Sequence, residues 1–122
     1  MDKLTRARNI LNGLNTIDQR CDDIANKNIM RAMQSFNTEQ DTVQLMELII
    51  DKTYQIQQLQ DLRRRALAVI KTAPEKYRTI IELHFIGGKT LAQIAREINR
   101  AENTASRLVC ESVQWFADKF IS

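Results

Sequence analysis

The chain has 122 residues, 43% apolar and 27% charged, an ordinary balance for one globular domain or one domain with a helical appendage. No apolar run approaches the roughly 20 residues of a membrane span, and the start "MDKLTRARNILNG" has no apolar core of signal-peptide length, so a cytoplasmic protein is expected. Cys21 and Cys110 lie 89 positions apart without metal-ligand spacing, Asp22-Asp23 lacks a third ligand, and the one histidine, His84, has no acid or nucleophile pattern beside it. These absences argue against a metal site, a cofactor, a disulfide framework and an enzyme.

The net charge of +3 is unevenly spread. Residues 1–62 hold 7 Lys and Arg against 9 Asp and Glu, and residues 63–122 hold 11 against 6. A basic C-terminal half is the modest electrostatic footprint of a small nucleic-acid-binding module. With one proline, three glycines and no alternating strand pattern, the chain reads as all-α.

The first helical stretch is expected from about Leu4 to Phe36. Ile10, Leu14, Ile17, Cys21 and Ile24 form a heptad seam that fails at Asn28 and resumes on a shifted face with Ile29, Met30, Met33 and Phe36. Gly13 marks a place for a bend or break. Residues 37–41, "NTEQD", form the next boundary, with Asn37 suited to cap the helix that follows. That second helix runs to about Lys71, with Leu45, Ile49, Ile56, Leu59, Ala66 and Ile70 as its seam and Lys52 and Arg63 as polar interruptions. The two long amphipathic helices fit a hairpin or a coiled-coil dimer, and the sequence leaves both open. Pro74 closes the second helix. Thr72 and Glu75 stand in capping-box register for the next one, expected from Glu75 to Ile86.

"IGGKT", residues 86–90, resembles the end of a P-loop. The count fails, because the first glycine of that motif would fall on Leu83 and bulky residues fill the interval. Gly87-Gly88 instead reads as a helix stop, with one glycine available for the left-handed position after the helix. Thr90 and Gln93 form a second capping-box signature. The short helix "LAQIAREI" follows, with Leu91, Ile94, Ala95 and Ile98 on one face. Asn99 in the turn tolerates a left-handed backbone. The longer helix "ENTASRLVCESVQWFADKF" has Ala105, Leu108, Val109, Val113, Phe116 and Phe120 as its apolar face, and Trp115 and Phe116 read as core or interface. A short helix, a tight turn and a longer helix make a helix-turn-helix. Its outer face carries Asn103, Ser106, Arg107 and Cys110, and in that motif the outer face lies in the major groove.

The stretch "PEKYRTIIELHFIGGKTLAQIAREINRAENTASRLVCESVQWF" resembles region 4 of bacterial sigma factors, which reads the upstream promoter element. Pro74, Arg78, Phe85, Gly87 or Gly88, Thr90, Ile94-Ala95 and Thr104-Ala105 carry the resemblance. With the preceding "QLQDLRRRALAVIKTAP" it is also similar to small phage late-gene regulators of the RinA and ArpU type. The chain departs from the pattern at Asn99, Arg100 and Ala101, and Asn99 with Glu102 offers an alternative capping pair for the recognition helix. The resemblance implies DNA base contacts by Glu102, Asn103, Ser106 and Arg107, and phosphate contacts by Lys89, Thr90, Gln93, Arg96 and Arg100. Pro74 and the basic excess that follows divide the chain into an interaction region, 1–72, and a three-helix DNA-binding domain, 73–122. The expected function is a phage-encoded activator working beside RNA polymerase in a bacterial host. The N-terminal helices would dimerise or hold a partner protein. The alternatives are a small terminase-type DNA-packaging subunit and a helical adapter that binds polymerase or another protein without DNA.

Overall fold

Asp2 starts the first helix by accepting the Thr5 backbone N–H at 2.7 Å, a side-chain cap on one of the four donors that a helix start leaves free. That hydrogen bond, with the one from the Thr5 side chain, holds the Asp2 carboxyl below its usual range. In the computed structural model, which describes residues 2–34 and 39–121, the chain is almost entirely helical, with no strand among the described residues. Helix α1 (Lys3–Gly13) runs into a 3₁₀ turn (Leu14–Thr16), α2 (Ile17–Asp23), a π-helical stretch (Ile24–Met30) and α3 (Arg31–Gln34). The long helix α4 (Glu39–Lys71) follows, then α5 (Glu75–Ile81), a second π stretch (Glu82–Ile86), α6 (Leu91–Ile98) and α7 (Glu102–Phe120).

The single helix expected over Leu4–Phe36 is therefore broken twice. Gly13 ends α1, and the helix tightens into a 3₁₀ turn there. The π stretch spans Asn28, where the heptad seam fails. A π turn holds an extra residue, so the apolar residues downstream rotate onto another face. Asn37, the expected cap of α4, lies outside the described residues, as does Phe36.

Packing divides the chain into two compact units, Met1–Asn15 with Arg65–Ser122, and Thr16–Arg64. The division expected from charge and punctuation, at residue 72, follows a different criterion. In the first unit α7 packs against α5, α6 and α1, so the N-terminal helix shares a core with the C-terminal ones. Ala7, Leu11 and Leu14 are buried in this unit, as are Ile70, Ile80, Ile81, Phe85, Ile94, Val109, Val113 and Phe116. Each large aliphatic or aromatic side chain so buried stabilises the fold by about 1.5–3 kcal/mol relative to exposure. Lys3 reaches Asp118 at 3.2 Å, an exposed pair that locates α1 along α7 more than it stabilises it. Phe120 stacks on Phe116 at 4.9 Å, and the Arg65 guanidinium lies 5.7 Å from its ring centre.

In the second unit, Cys21 Sγ lies 4.0 Å from the Ile56 carbonyl and Asp18 pairs with Arg63. Advancing along α2 thus means retreating along α4, so the two arms form an antiparallel hairpin within one chain. Ile17 and Cys21 are buried, whereas Leu45, Ile49, Ile56 and Leu59 are only half-buried.

The Thr72–Glu75 capping box does not form. The last turn of α4 carries on through Thr72, whose hydroxyl donates back to the Val69 carbonyl at 2.7 Å. Pro74 (φ −52°, ψ 144°) is the residue that enters α5, with no side-chain cap. The helix expected over Glu75–Ile86 has its full extent but widens into a π turn after Ile81.

Candidate nucleic-acid interface

The turn between α5 and α6 sets where α6 begins. Gly88 adopts φ +69°, the left-handed conformation that non-glycine residues rarely take. Gly87 is needed for a different reason: a Cβ there would meet the Leu83 carbonyl oxygen at 2.9 Å. The Lys89 N–H donates to that same carbonyl at 3.0 Å and closes the turn. His84 Nδ1 lies 2.9 Å from the Lys89 carbonyl. A carbonyl only accepts, so Nδ1 carries the proton and the ring fastens the turn. This use of His84 has no sequence signature, because the ring reaches across the turn to backbone.

Thr90 then caps α6 as expected. Its hydroxyl accepts the Gln93 N–H at 3.2 Å, and the Gln93 side chain accepts the Thr90 N–H at 2.9 Å. Ile94 and Ala95 are buried on one face of the short helix, while Arg96 is exposed on another. Asn99 ends α6 in the left-handed region (φ 56°, ψ 49°), and the Arg100 N–H donates to the Ala95 carbonyl at 2.9 Å, the closure expected of such a stop. The Asn99–Glu102 capping pair is not made: Asn99 belongs to the end of α6, and Ala101 occupies the N-cap of α7 without a side-chain bond. Helix α7 therefore begins at Glu102, with no side chain closing its first turn.

The structure brings the expected base-contact residues onto one side of α7. Glu102, Asn103, Arg107 and Cys110 are exposed there, and Ser106 is half-buried at its edge. Arg107 Nε lies 3.7 Å from Glu111, an i,i+4 pair whose spacing was legible in the sequence. Tyr77 donates to the other oxygen of Glu111 at 3.4 Å. Arg107 also borders a cavity of about 820 Å³ between α5 and α7, with Ile80, Ile98 and Leu108 as apolar lining and Arg100 and Thr104 beside it.

The expected phosphate contacts fall into two groups. Arg96 and Arg100 are exposed and border a shallow hollow at the start of α7, with Ala92, Asn99, Ala101 and Glu102. Positive partial charge at that helix start adds to their two positive charges. Lys89 is instead engaged by Glu97 of α6, and Thr90 and Gln93 are committed to each other in the capping box. The Lys89–Glu97 partnership spans eight positions across a turn and escapes any helical spacing rule.

Residues 63–114 match the family model described as sigma-70, region 4. This part of the chain is a sigma region 4-like helix-turn-helix domain. No curated protein and no solved structure matches the chain significantly. Sigma region 4 is a DNA-binding, non-enzymatic module, and the match supports a DNA-binding, transcription-related function for this part of the chain. The matched stretch takes in the end of α4, all of α5 and α6 and most of α7. Helix α1 lies outside it, although α1 packs on α7 of the sigma-like domain. No helix among the described residues is long and apolar enough to cross a membrane, and no group of metal-binding side chains occurs among them.

Proposed function

We propose that the protein is a sequence-specific regulator of transcription, phage-encoded, that acts as a sigma-like activator beside RNA polymerase in a bacterial cell. The exposed polar side of α7, presented by the glycine turn and the Thr90 cap, is the observation that carries the reading. Within it Asn103 suits an adenine edge, Arg107 a guanine edge and Glu102 a cytosine amino group, with Ser106 adaptable. Arg96 and Arg100 flank the start of α7 and would hold the DNA backbone, with Thr90 and Gln93 at the start of α6. Lys89 would join them by exchanging the Glu97 carboxylate for a phosphate. The phage and activator assignments rest on the likeness of "QLQDLRRRALAVIKTAP" and the following helices to phage late-gene regulators.

Selection from a random pool of double-stranded DNA by the full chain tests this reading. A short enriched motif is expected. Recovery of unenriched sequence, under conditions where the protein is folded, would contradict it.

A further inference from the structure

Large apolar side chains are left exposed mainly in one region of the hairpin. Of those that stand out to solvent among the described residues, Met30, Met33, Val43, Met46, Ile50 and Tyr54 all belong to the Thr16–Arg64 unit, with exposures from 49% to 67%. The antiparallel register fixed by Asp18–Arg63 and Cys21–Ile56 carries the 30–33 stretch to the same end of the hairpin as residues 43–50. On α4, Val43, Met46, Ile50 and Tyr54 recur at intervals of three, four and four, a stripe on a different side from half-buried Leu45, Ile49 and Ile56. The outer half of the hairpin thus has more apolar surface than two helices can hide from water.

We infer that this end of the hairpin is covered by a second copy of the chain, in a two-fold arrangement that sets the first arm of one copy against α4 of the other.

The amount of surface fits. The six side chains leave on the order of 600 Å² of apolar area, the upper end of the largest patch on a typical monomer. With a polar rim this approaches the roughly 800 Å² per partner of a stable interface. The charges fit as well. The first arm from Ile24 to Gln34 carries Lys27 and Arg31 and no acidic residue, and level with it α4 carries exposed Glu47 and Asp51. Neither Arg31 nor Glu47 makes an ion pair among the described residues, although both are exposed at the same end of one hairpin. In a two-fold pairing each contact occurs twice, so the basic arm of each copy meets the acidic arm of the other. Two hairpins joined in this way form a four-helix bundle, the ordinary means of burying a second apolar face. Lys27 is already held by Asp23 at 3.6 Å and Asp51 by Lys52 at 4.0 Å, so Arg31 and Glu47 are the charges a second copy would pair.

Sedimentation equilibrium of the full chain without DNA tests the inference. A dimer is expected at micromolar concentration. Ile50→Asp should give a monomer with unchanged helical circular dichroism. Arg31→Glu and Glu47→Arg should each weaken the dimer about tenfold, and the double reversal should restore most of the loss. A wild-type chain that stays monomeric overturns the inference, and so does a dimer indifferent to Ile50→Asp and to the charge reversals. The charge reversals sit on exposed positions, so they decide the matter even where Ile50→Asp loses helicity. The assay contains no DNA, so a negative result leaves the DNA-binding reading untouched.

Discussion

Lys89 has a carboxylate partner before any DNA arrives. Its pairing with Glu97 is partly exposed, so the cost of exchanging that carboxylate for a phosphate is modest. Lys89→Ala should weaken binding to specific and random duplexes alike, and should lower the salt dependence of binding by about one unit. An unchanged slope in a salt titration would mean that Lys89 only braces α6. Asp2 offers a pH-dependent prediction. Its folded-state carboxyl is held below 3.8 by the Thr5 N–H, so its stabilising contribution is present above that value and is lost as pH falls through the depressed pKa. Asp2→Ala should therefore lower the melting temperature at neutral pH, and the gap from wild type should close in strong acid. At this scale the sequence was informative where the partners are neighbours. The Thr90–Gln93 box and the left-handed Asn99 follow from local geometry. Thr72–Glu75 has the same spacing as Thr90–Gln93 but makes no box, because the chain at Thr72 is still completing the turn of α4 and its hydroxyl is drawn back to Val69.

The helices themselves were legible where a periodic run meets a strong stop. The ends of α4, α6 and α7 lie where Pro74, Asn99 and the end of the apolar face put them. The π stretches were not legible as such, since one extra residue in a turn only shifts a seam, as happened at Asn28. The turn before α6 depends on two glycines for separable reasons, which gives two different outcomes on substitution. Gly88→Ala meets nothing within 4 Å and should cost about 1 kcal/mol, from the positive φ alone. Gly87→Ala drives a Cβ onto the Leu83 and Glu82 carbonyl oxygens at 2.9 and 3.1 Å, so backbone has to move. It should cost more than Gly88→Ala in chemical denaturation and should also weaken DNA binding, because α6 starts from that turn. Equal costs would show that the Gly87 contacts relax without consequence.

Across the whole molecule, the sequence order of the helices is not their packing order. Periodicity shows that α1 has an apolar face but cannot name what that face meets, and α7 is the partner it finds. Leu11, fully buried in the unit that holds the sigma-like domain, tests this directly. Leu11→Ala should destabilise that unit by about 2–5 kcal/mol, and hydrogen exchange should then speed up in α7 as well as in α1. Faster exchange confined to α1 would mean that the N-terminal helix is a passenger. The hairpin, Thr16–Arg64, occupies the chain between these two contributions to one core.

Base readout by the exposed side of α7, as proposed, would depend most on Arg107. The decisive measurement is the affinity of wild type and Arg107→Ala for a selected duplex and for a scrambled one at the same salt concentration. The predicted result is a loss of about 1–3 kcal/mol on the selected duplex and little change on the scrambled one. An equal loss on both would remove Arg107 from base readout and contradict the account of α7 as the reading helix.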